Sequence, residues 1–120
     1  MSDNTLTGRK VLVVEDDYLV GADLAGMLER AGAEVIGPAT SIREALDALG
    51  ALPDVATLDV QLGAETSFPI ADELAKRGIP FIFATGTAEK IPSAYRSRLL
   101  CQKPLSDRII LKALADTLAA

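Results

Sequence analysis

Short apolar blocks that end on acids, Gly or Pro alternate along this chain with stretches whose apolar positions recur three and four residues apart. Residues 10–15 (KVLVVE) form a β-branched run that stops at acids, the pattern of a buried parallel strand. Val20, Leu24, Met27, Leu28 and Ala31 follow at helical spacing, with Gly32 placed to end the helix. Residues 34–37 predict a second strand closed by Pro38. Ser41-Ile42-Arg43-Glu44 has the form of a capping box, with Ser41 as N-cap and Glu44 reaching back. Ile42, Ala45, Leu46 and Leu49 then share one face, and Gly50 ends that helix.

Residues 54–58 predict a third strand running straight into Asp59, and residues 61–68 a loop. Pro69 suits the first turn of a helix carrying Ile70 and Leu74, with Gly78 as its stop. Residues 79–84 (IPFIFA) predict a fourth strand, followed by the small polar trio Thr85-Gly86-Thr87. Residues 88–98 carry a weaker helical signal interrupted near Pro92. Residues 99–102 predict a fifth strand ended by Lys103-Pro104, and Ile110, Leu114 and Leu118 mark a final helix. Alternation of this kind demands an α/β fold, a doubly wound five-stranded parallel sheet with helices on both faces. Of the half-wound orders open to five strands, 2-1-3-4-5 is the commoner. No repeat or linker divides the chain, so residues 1–120 read as a single domain with its core at about 8–118.

Composition narrows the chemistry. Apolar residues make up 49% of the 120, enough for a core without disulfides, while aromatics at 4% leave Val, Leu, Ile and Ala to fill it. The apolar stretches are too short to cross a bilayer, and residues 1–10 lack the apolar h-region of a signal peptide. The single Cys, Cys101, makes no internal disulfide. These features imply a cytoplasmic protein without a membrane role. A net charge of −5 argues against binding nucleic acid through a broad basic face. The absence of His excludes a histidine base, the usual histidine-containing zinc sites and a phosphohistidine carried by this chain.

In open parallel sheets, ligands bind beyond the carboxyl ends of the strands, where the winding reverses. Glu15, Asp16 and Asp17 follow strand one, Asp59 strand three, Thr85 strand four and Lys103 strand five. Strands one and three are neighbours in the predicted order, so Asp16 and Asp59 should meet across a crevice. Clustered carboxylates repel, and a hard divalent cation such as Mg²⁺ relieves that repulsion. Lys103 adds a fixed positive charge. Taken singly, an acid after a strand is often a helix cap, Thr-Gly a turn and Lys-Pro a solvated bend. Their convergence on one sheet edge carries the inference.

VLVVEDD, the Asp59 that follows VATL, FATG and QKP together resemble the signature points of two-component response-regulator receiver domains, over essentially residues 8–118. IPFIFATG, LGAETSFPIADELAKRGIP and LLCQKP further resemble the FAT-GUY subfamily of single-domain receivers. The resemblance implies a flavodoxin-like fold and a chain that takes a phosphoryl group from a sensor histidine kinase or a histidine phosphotransfer protein. It implies Asp59 as phosphoacceptor, Asp16 as direct Mg²⁺ ligand and Glu15 as a ligand through water. The backbone carbonyl of Gln61 would be the third protein ligand, and Asp17 a supporting residue or N-cap. Thr85 would bond a phosphoryl oxygen, Lys103 would pair with the phosphoryl group, and Pro104 would follow a peptide bond that is often cis. Receivers of this kind catalyse their own modification but are not usually called enzymes.

Leu100 stands where many receivers carry an aromatic residue that reports phosphorylation, and Thr87-Ala88 replaces the bulky continuation usual in the subfamily. Residues 87–99 are expected to move on phosphorylation, with output through contact with a downstream protein and no effector domain in this chain. The alternatives weighed are a pseudo-receiver that signals by binding alone and a small Mg²⁺-dependent phosphatase. The phosphatase would need a second Asp at position 61, which is Gln. An FMN carrier is disfavoured because the first loop lacks a Ser/Thr/Gly phosphate cradle.

Overall fold

In a computed structural model of the chain, the structure describes residues 6–85, 100–102 and 107–119. The chain runs β1 (Lys10–Val14), α1 (Tyr18–Arg30), β2 (Glu34–Ala39), α2 (Ile42–Ala48), a 3₁₀ turn at Leu49–Ala51, and β3 (Val55–Leu58). There follow β4 (Gln61–Leu62), β5 (Glu65–Thr66), α3 (Phe68–Lys76), β6 (Phe81–Thr85), β7 (Leu100–Gln102) and α4 (Asp107–Ala119). The main sheet has the order β2-β1-β3-β6-β7, and its strand pairs are parallel. β4 and β5 form a separate antiparallel hairpin.

Side chains alternate across the sheet as the strand period requires. Leu12 and Val14 of β1, Ala56 and Leu58 of β3, and Phe81 and Phe83 of β6 cluster with Ala45 of α2 and with Ile70, Ala71 and Leu74 of α3. Their neighbours Val11, Val13, Val55 and Ile82 cluster instead with Leu24, Met27 and Leu28 of α1 and with Ile110 and Leu114 of α4. Every residue of β3 is buried, as a strand covered on both sides must be. Phe83 packs edge-on against both Phe81 and Phe68, with centroids 5.5 and 6.1 Å apart.

Several local expectations change. The second strand does not stop at Pro38 but continues to Ala39, with a cis Gly37–Pro38 bond and a register shift between Leu12 and Val14. Gly37 has φ 100, and a Cβ there would lie 2.6 Å from the Ala39 nitrogen and 2.8 Å from the Val13 carbonyl oxygen, so only Gly fits. The irregular residues let β2 pass through a proline without losing the sheet. In the capping box, Ser41 Oγ accepts the Glu44 N–H at 3.1 Å as expected. The Glu44 carboxylate, however, reaches past Ser41 to Thr40, accepting from both its hydroxyl and its N–H at 2.7 Å. Leu46 is an exposed position of α2 rather than part of the core. Residues 61–68 are not simple loop, since they hold the β4–β5 hairpin and the start of α3.

Candidate functional site

β1 and β3 end side by side, with Val14 paired to Leu58. The chain therefore delivers Glu15 and Asp59 to the same sheet end on adjacent strands. Two backbone bonds fix them there: Asp59 N donates to Val14 O, and Glu15 N donates to Ala39 O, each at 2.9 Å. Glu15, Asp16 and Asp59 each present a carboxylate oxygen within 4.8 Å of the others. Glu15 is buried, Asp59 half-buried and Asp16 exposed, so the cluster grades from the sheet edge to solvent.

Each acid is held differently. Glu15 Oε1 accepts the Asp17 N–H at 3.2 Å, which turns the chain from strand into helix. Asp17 Oδ1 accepts from Leu19 N at 3.0 Å and Val20 N at 3.1 Å, so Asp17 is the N-cap of α1. Its carboxylate is spent on the helix and it stands outside the three-acid group. Asp16 Oδ2 accepts the Gly63 N–H at 2.8 Å, which ties the β4–β5 turn to the end of β1.

That turn is the part of the site the sequence reading missed. Gly63 has φ 59 and Ala64 does not share its positive φ, as a two-residue hairpin with Gly at its first central position requires. Gln61 Nε2 donates to Gly63 O at 2.9 Å and to Glu65 O at 3.1 Å. The sequence signal was present in Gly63-Ala64 between two short flanking pairs, but the strands it joins are two residues each.

Thr85 is the last residue of β6, and its backbone pairs with Gln102 at the end of β7. Lys103, Pro104 and residues 87–99 lie outside the described residues, so the roles expected of them are not placed here.

Three carboxylates this close are mutually repulsive unless a cation joins them, and their oxygens are the hard donors that a hard divalent ion takes. The donor set could hold a metal ion.

No family model matches the chain. Among solved structures, SdrG from Sphingomonas melonis Fr1 shares 38% identity over the whole of both chains, with a TM-score of 0.81. The signal receiver domain of a modulated diguanylate cyclase from Desulfovibrio desulfuricans G20 shares 29% identity, covering 93% of this chain and 94% of that one, with a TM-score of 0.81. The chain belongs to the response-regulator receiver domains. A curated relative of this receiver, the sensory transduction protein LytT of Bacillus cereus (strain ATCC 14579), is 35% identical over 111 residues, 88% of this chain and 45% of the relative. The receiver thus spans less than half the length of that curated relative. Among the described residues of the receiver, no helix is long and apolar enough to cross a membrane.

Proposed function

We propose that this receiver accepts a phosphoryl group on Asp59 from the phosphohistidine of a sensor histidine kinase or a histidine phosphotransfer protein. The observation that carries the reading is the convergence of Glu15, Asp16 and Asp59 within 4.8 Å at the carboxyl edge of β1 and β3. An Asp59 oxygen attacks phosphorus, the P–N bond to the donor imidazole breaks, and the imidazole leaves with its nitrogen free to take a proton.

Asp16 and Asp59 would bind Mg²⁺ directly, with Glu15 acting through water and the Gln61 backbone carbonyl as a further ligand. Bound there, the ion neutralises charge that spreads over the phosphoryl oxygens during transfer. Thr85 hydrogen-bonds a phosphoryl oxygen once Asp59 is modified, and Lys103 pairs with the group. Asp17 supports the site by capping α1 rather than by touching the ion.

The chain is a stoichiometric acceptor rather than a turnover enzyme. Its output is a changed face toward a downstream protein in the cytoplasm, on the five-stranded frame β2-β1-β3-β6-β7 with helices on both sides. Leu100 in place of an aromatic residue means that the change passes through Thr85 and the residues after it.

Intact-mass analysis of the chain incubated with acetyl phosphate tests this directly. Addition of one phosphoryl group with Mg²⁺ present, abolished by EDTA, is the expected result. No addition under either condition would instead make the chain a pseudo-receiver, signalling by binding alone.

A further inference from the structure

The Gln61 side chain has a task separate from its backbone. Its Nε2 donates to Gly63 O and to Glu65 O, at 2.9 and 3.1 Å. One amide nitrogen carries two N–H groups, so both bonds can form together. The two acceptors bracket the turn, and the Gly63 N–H in that same turn donates to Asp16 Oδ2 at 2.8 Å.

The geometry points to Gln61 as a positioning residue for the ion site: its carboxamide locks the β4–β5 turn in the shape that aims the Gly63 N–H at Asp16. This inference rests on the Mg²⁺ reading above and adds a residue that controls it.

The hairpin needs such a brace. A two-stranded hairpin alone is marginal in water, and this one pairs only Gln61 with Thr66 and Leu62 with Glu65. Its base is anchored by buried Leu62 and by the Ser67 N–H on Val60 O at 2.8 Å. The tip, which carries Gly63, is exposed. Gln61 is the side chain that ties tip to base.

The bond to Asp16 engages one oxygen of a carboxylate that has two, so clasp and ion can be held at once. A hydrogen bond of this kind restricts the rotation of a ligating carboxylate, and losing such a partner commonly lowers metal affinity about 10- to 100-fold. Linkage then requires the reverse effect: an ion that binds the clasped form better also holds the clasp shut.

The test uses the full ¹⁵N-labelled chain titrated with Mg²⁺, as the parent protein and as Gln61→Met, which keeps side-chain length and the backbone carbonyl but has no N–H to donate. The expected result is Mg²⁺ affinity about tenfold weaker in Gln61→Met at an unchanged unfolding midpoint. In the parent alone, Mg²⁺ should slow hydrogen exchange at the Gly63 amide. Equal Mg²⁺ affinity in the two proteins overturns the inference, as does Gly63 exchange in the parent that is unchanged or faster with Mg²⁺. If the variant does not fold, the Gly63 exchange in the parent decides. A parent that binds no Mg²⁺ overturns the ion reading and this inference with it, whereas a parent that binds Mg²⁺ beside an unaffected variant overturns the inference alone.

Discussion

The Asp16 carboxylate and the Gly63 backbone N–H, 47 residues apart in sequence, meet at 2.8 Å. This bond joins the acidic end of β1 to a turn that follows Asp59, so the three-acid edge has a third side beyond the two strands. Asp16 and its neighbour Asp17 therefore do different work although they sit next to each other. One faces the acid cluster and the hairpin, while the other caps α1.

Substituting the two acids should separate those tasks. Asp17→Ala is expected to lower stability by about 1 kcal/mol through loss of the N-cap, with Mg²⁺ affinity close to that of the parent. Asp16→Ala should lose most Mg²⁺ affinity. Urea unfolding and Mg²⁺ titration of both variants check this.

Gly37→Ala should be the more damaging change at a site remote from the acids in sequence. The φ of 100 and the contacts a Cβ would make at 2.6 and 2.8 Å leave the strand no relaxed alternative. A cost of about 1–3 kcal/mol is expected from the backbone strain alone. Because Ala39 O accepts the Glu15 N–H, Mg²⁺ affinity should fall with stability. Chemical denaturation and Mg²⁺ titration of the same sample measure both.

The buried hydroxyl of Thr57, two residues before Asp59, has no hydrogen-bond partner among the described residues. Thr57→Val keeps the shape and removes an unsatisfied polar atom, so it should stabilise the fold by about 1 kcal/mol. A lower unfolding midpoint in urea would contradict that.

Glu44 ties a pH effect to α2. Hydrogen bonds from the Thr40 hydroxyl and then the Thr40 N–H hold its carboxyl below the usual carboxylate range. A depressed folded-state value means the stabilisation is present above the unfolded carboxyl's range and is lost as pH falls through the lower, folded value. NMR titration should place the Glu44 carboxyl below the ordinary glutamate value, and Thr40→Val should raise it.

Legibility in the sequence followed the size of the signal. Long periodic segments such as 18–30 and strands ending in acids were readable because burial on both faces leaves little latitude in residue type. The meeting of Asp16 with Asp59 was readable for a related reason: neighbouring parallel strands deliver their carboxyl ends to one edge. Pro38 misled because Gly37, at φ 100, and a register shift against β1 carry the strand onward, a backbone solution that a proline alone does not advertise. The hairpin was hidden because two-residue strands have no period to detect, and its structure depends on the Gln61 amide and on Asp16. Glu44 illustrates a smaller failure, where a carboxylate found two donors on Thr40 in place of the one on Ser41.

The most direct test of the account is phosphoryl uptake by the parent chain and by Asp59→Ala, each incubated with Mg²⁺ and acetyl phosphate and weighed intact. The account predicts one added phosphoryl group on the parent and none on the variant. Equal labelling of the two proteins would contradict it.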